Sequence, residues 1–227
     1  MKFVIRFTLL ALASLILTTD SLSAQTAAAP DAAAFEQFLQ QFPKADLPYV
    51  IGTSELSATL EQRAQGIRPA AVPFLAADSY EFLPDLDRSA EATSIPAHPQ
   101  AVARFETADR HAVLYNLPRS GAKQYRALYL AVFDKEGRHI ATSFVAGVNP
   151  TTLVSAVLDE QLQAKVQEFQ VQWAKELTHN LAGNQLAGLQ PLEMHTLDLN
   201  QTPENDWNER HEPKTAASGA IARNDSK

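Results

Sequence analysis

No cysteine occurs among the 227 residues. The chain therefore has no disulfide framework, no thiolate nucleophile and no cysteine metal site. Glycine is scarce at eight residues, and they form neither a phosphate-cradling loop nor a G-x-G-x-x-G fingerprint. A G-x-S-x-G nucleophile elbow is missing too. The histidines, His98, His111, His139, His179, His195 and His211, include no H-x-x-x-H pair, so no metal site is expected. Positive charge is also in deficit: nineteen Lys and Arg face twenty-six Asp and Glu, a net of −7. A mildly acidic chain without a basic cluster repels phosphate backbones and anionic bilayers alike, so neither nucleic acid nor a membrane surface is an expected partner. Beyond the N-terminus no apolar run approaches the ~20 residues that span a bilayer.

The N-terminus itself has a specific pattern. Lys2 and Arg6 precede the uncharged run "FTLLALASLIL", and Ser21 and Ser23 then sit at the −3 and −1 spacing of a cleavage site. This is the layout of a secretory signal peptide, expected to span residues 1–23 and to leave no membrane insertion after cleavage. Its removal leaves seventeen basic against twenty-five acidic residues, a balance of −8. Export without cysteine points to a bacterial envelope, with a periplasmic or secreted mature protein. About 200 mature residues suffice to bury one core without staples.

Residues 24–34 are rich in small residues and read as a flexible spacer. Phe35, Phe38, Leu39 and Phe42 then fall at helical spacing, and Pro43 ends the pattern. A second short helix is expected from Thr53 as N-cap, through Leu56 and Leu60, to Gly66. Five prolines between 69 and 99 break every period, leaving an irregular stretch with at most short strands near 72–75 and 79–83.

From residue 101 the period changes to two. "AVARFET", "AVLYNL" and "QYRALYLAVF" alternate as strands, the last apolar on both faces as a covered central strand would be. "AVFDKEGRHIATSF" holds six chemistry-bearing side chains, yet Gly137 closing "DKEG" fits a hairpin turn better than a catalytic loop. Residues 150–177 satisfy a strand pair around Asp159-Glu160-Gln161 and also a helical stripe. The strand reading is preferred because Val171 leaves the stripe and a meander needs partners. "EMHTLDLNQ" is the expected last strand, and the polar residues 203–227 read as a disordered tail. The expected fold is α+β: N-terminal helices on an antiparallel meander of about six or more strands, in one domain over residues 35–202.

The motif candidates are weak. Ser120 and Lys123 match S-x-x-K, but in a turn, where serine and lysine do not face each other. Asp198 to Glu209 spaces oxygen ligands as a calcium loop does, with Pro203 where glycine is required; no calcium binding is expected. No catalytic residues and no cofactor are assigned. Tyr125 and Tyr129 share one strand face and are the candidate ligand-binding pair, as an exposed aromatic platform or as core beneath the N-terminal helix. The resulting expectation is a non-catalytic binding or accessory protein of the envelope, with a protein, peptide or glycan partner. The alternative is a hydrolase whose carboxylates or serines meet only in three dimensions.

Overall fold

The structure is a computed structural model that describes residues 30–67, 73–83, 86, 98–117, 125–177 and 181–201. The expected signal peptide, most of the spacer, Ser120, Lys123 and the tail beyond 201 lie outside these residues.

Helix α1, Ala32–Gln40, starts where the Asp31 side chain accepts the Ala33 N–H at 2.9 Å, an N-cap that satisfies one orphan donor of the first turn. It thus begins three residues inside the stretch read as spacer, and it buries Phe35, Phe38 and Leu39. Helix α2, Thr53–Ala64, buries Leu56, Leu60 and Ala64. Its N-cap is Gly52 rather than Thr53, because the Gly52 carbonyl already accepts the Leu56 N–H. At the other end Gly66 has φ +72°, the Ile67 N–H reaches the Gln62 carbonyl and the Gly66 N–H that of Arg63. That pair of bonds is a Schellman stop, which a side chain with a Cβ disfavours.

Strand β1 is Tyr49–Ile51, and the meander follows as β2 Gln100–Glu106, β3 Arg110–Asn116, β4 Arg126–Asp134, β5 His139–Val148, β6 Thr152–Leu158, β7 Gln163–Trp173 and β8 Leu186–Asp198. All pair antiparallel in chain order within one eight-stranded sheet, and β1 adds to β6. The fold is α+β with a meander, and residues 150–177 are the strands β6 and β7. The turn between these strands ends in Leu162, which takes φ 56° yet is buried. Leu162 belongs to that turn, and β7 begins at the next residue. Where short strands were expected near 79–83, Ala77–Phe82 is a 3-10 helix. In such a helix residues three apart align, so Ser79 and Phe82 turn inward together. Gln41 holds this segment to the end of α1, donating to the Ser79 hydroxyl and accepting the Ala76 N–H.

"DKEG" is a hairpin turn: the Gly137 N–H donates to the Asp134 carbonyl, and Gly137 takes φ +82°. Asp134 caps it from within, accepting the N–H groups of Glu136 and Arg138 and the Arg138 guanidinium at 2.7 Å.

β4 is buried on both faces. One face carries Tyr129 and Phe133 and continues across β3 as Tyr115 and His111. α1 covers its Phe133 end, with Phe35 and Phe38 ring centroids 5.2 and 5.8 Å from that of Phe133. The opposite face carries Leu130 and Val132 and continues through Ala112 to Phe105. Tyr49 lies over it, its ring 5.1 Å from that of Phe105.

β6 divides one of its edges between two strands. β7 pairs along the whole of the other edge, while β5 touches β6 only at Val154 and Leu153, and β1 takes Leu158, Val157 and Ala156.

Ser143 sits opposite Leu130 in the core, and its Oγ has no hydrogen-bond partner among the described residues. A buried hydroxyl left unpaired costs roughly 1–3 kcal/mol. Ser143→Ala is therefore expected to leave stability unchanged or to raise it by about 1 kcal/mol in urea titration. A loss above that size would show that the hydroxyl is bonded in solution.

Candidate functional site

β2 is an outer strand of the meander, and the segment after α1 runs beside it. The Arg104 N–H donates to the Pro43 carbonyl at 2.8 Å and the Ala45 N–H donates to the Arg104 carbonyl at 2.9 Å, so Lys44 and Arg104 form a parallel bridge. Strand alternation places Glu106 on the same face as Arg104. Register sets Glu106 opposite His111, and His111 opposite Phe133. This is the face α1 covers, and α1 contributes Glu36 and Leu39 to the gap that remains. The result is a cleft of about 290 Å³ lined by Glu36, Lys44, Arg104, Glu106 and His111, with the buried Leu39 and, since its ring points to the opposite face, the backbone of Phe105 completing the lining.

The charges here are unevenly committed. Glu106 is hydrogen-bonded by Lys135 Nζ at 3.0 Å, which with the lysine's charge holds its carboxyl below the usual range. Lys135 comes from the β4–β5 turn, so this hairpin tip supplies a structural cation to the cleft's rim. Lys44 and Arg104 make no ion pair with a described carboxylate, and Arg104 Nε is fully buried with no acceptor among the described residues. His111 is half-buried, its edge turned toward the Phe35 ring at 5.8 Å.

Burial, reinforced by Lys135, lowers the His111 pKa against the opposing pull of Glu106 and Glu36. The folded state thus prefers neutral imidazole, while the unfolded chain takes up its proton near the ordinary value of about 6.5. The stability this contributes is complete above pH ~6.5 and is lost as pH falls through the lowered folded value. The urea midpoint should accordingly begin to drop just below pH 6.5, well above the range where Glu106 titrates. His111→Gln should remove that first step, and a step that persists in the variant would assign it to another group.

Tyr125 and Tyr129 lie elsewhere. Tyr129 is 7% exposed, its ring 5.8 Å from that of Tyr115 and 5.7 Å from that of Phe144. Tyr125 is half-buried against the same core with the Arg63 guanidinium 5.3 Å above its ring. Asp198, first of the calcium-like spacing, accepts from the Asn200 N–H and the Asn200 and Gln201 side chains. It closes its own turn in this way, and residues 202–209 lie outside the described part.

None of the cleft residues stood out in the sequence. Their one legible signal is the alternation of Arg104 with Glu106 on a strand whose inner face must meet a helix. No protein-family model, curated protein or solved structure matches the chain.

Proposed function

We propose that the chain is an exported bacterial protein that acts as a non-catalytic binding or accessory protein of the cell envelope, with the cleft between α1 and β2 as its ligand site. The observation that carries this reading is how the cleft's charges are used. A general acid must hold its proton near neutral pH, whereas Glu106 is hydrogen-bonded by Lys135 and held ionised. Lys44 and Arg104, which make no ion pair with a described carboxylate, are groups suited to recognition. Ser143, whose hydroxyl has no partner among the described residues, faces the core at 1% exposure, where no substrate reaches it. The leader pattern of Lys2, Arg6 and "FTLLALASLIL" supports export.

Two measurements test the proposal. Intact mass of the protein recovered from the envelope fraction should place its N-terminus near Ala24 or Gln25; a full-length, membrane-extracted species would sink the export reading. Envelope extract passed over the immobilised mature protein should yield a ligand or partner that a Lys44→Ala/Arg104→Ala variant fails to retain. Equal retention by the variant would remove the cleft from the proposal.

A further inference from the structure

We infer that the cleft takes a small monocarboxylate, its head group between Lys44 and Arg104. This rests on the binding reading above and names its ligand class. Charge sets the head group. Lys44, Arg104 and Lys135 bring three positive charges to the cleft and its rim, Glu36 and Glu106 bring two negative ones, and His111 is neutral near pH 7. The excess is one positive charge, which a single carboxylate balances. A phosphate dianion would leave net negative charge facing Glu36 and Glu106, which destabilises it.

Geometry agrees. The Lys44–Arg104 bridge fixes the two backbones side by side, so both side chains reach one ligand atom group. Arg104 presents a planar fork of donors suited to a carboxylate. The volume of about 290 Å³ lies at the lower end of small-molecule sites. The same carboxylate chemistry is offered by a free organic acid and by the carboxyl end of a peptide.

The test uses the full mature chain with four probes: hexanoate, hexanamide, acetyl-Ala-Leu with a free carboxylate, and the same dipeptide amidated. Amide chemical shifts locate binding and calorimetry measures it. Hexanoate is expected to shift Arg104, Glu106 and His111, to bind more weakly at high salt, and to lose about tenfold in affinity in Arg104→Met, the size of one charge-assisted hydrogen bond. Lys44 is exposed, so Lys44→Met supplies the same test should Arg104→Met not fold. Tighter binding of the free-acid dipeptide than of hexanoate identifies a peptide end as the source, and the reverse order identifies a free acid. Equal binding of hexanoate and hexanamide overturns the carboxylate assignment and leaves the binding reading intact. So does the absence of binding by every probe while envelope material is still retained through Lys44 and Arg104. Shifts confined to another face, or affinity unchanged in both variants, overturn the site itself.

Discussion

Phe38→Ala is expected to cost about 3–5 kcal/mol, the range for removing a buried aromatic ring. Phe38 is 1% exposed, and its ring centroid lies 4.9 Å from that of Phe82, 5.2 Å from Phe42, 5.8 Å from Phe133 and 6.0 Å from Phe35. These contacts join α1 and the chain just after it to the 3-10 helix and β4, both distant in sequence. A cavity at that junction collapses poorly, because each neighbour is anchored by its own element. Since α1 also supplies one wall of the cleft, the variant should lose ligand binding at urea concentrations where the wild type is still folded. Equilibrium urea unfolding checks the first number; a loss below about 1 kcal/mol would mean that α1 is not docked on the sheet as described.

Tyr129→Ala should cost about 3 kcal/mol by the same reasoning. The ring is packed between Tyr115 and Phe144 on the strand buried on both faces, so its removal opens a void in the middle of the sheet. Tyr129→Phe keeps the ring and removes only the hydroxyl, and should cost about 1 kcal/mol or less. The contrast between the two variants separates packing from hydrogen bonding. A Tyr129→Ala loss within about 0.5 kcal/mol, the size of an ordinary surface change, would return this face to consideration as a ligand platform.

The meander was legible because period-two alternation persists in segments separated by clear turn residues, and α1 because four apolar residues share one stripe. What escaped the sequence has physical causes. β8 begins at Leu186, seven residues before the stretch that looked strand-like, and Pro191 lies inside it. Proline reads as a breaker, but at a sheet edge its missing N–H costs little. The 3-10 helix is hidden by the prolines around it, and its i, i+3 inward pair resembles neither a strand nor an α-helix. The cleft was invisible for another reason. Alternation shows that Arg104 and Glu106 share a face, but not that register sets Glu106 against His111 or that Lys44 returns beside β2. Those are pairings between distant segments, fixed only when the sheet is assembled.

The divided edge of β6 bears on the order in which the molecule forms. β1 is made early in synthesis, yet its partners Ala156, Val157 and Leu158 emerge roughly a hundred residues later, a long closure that is slow to form. The hairpins of the meander need only local turns, so β6 is expected to be bonded to β7 before β1 arrives on its other side. On that expectation β1 is a closing latch, added after the rate-limiting step. Ile51→Ala, which removes its buried anchor at 2% exposure, should speed unfolding and leave the refolding rate nearly unchanged in stopped-flow measurements. A refolding rate that falls in proportion to the lost stability would place β1 in the folding nucleus.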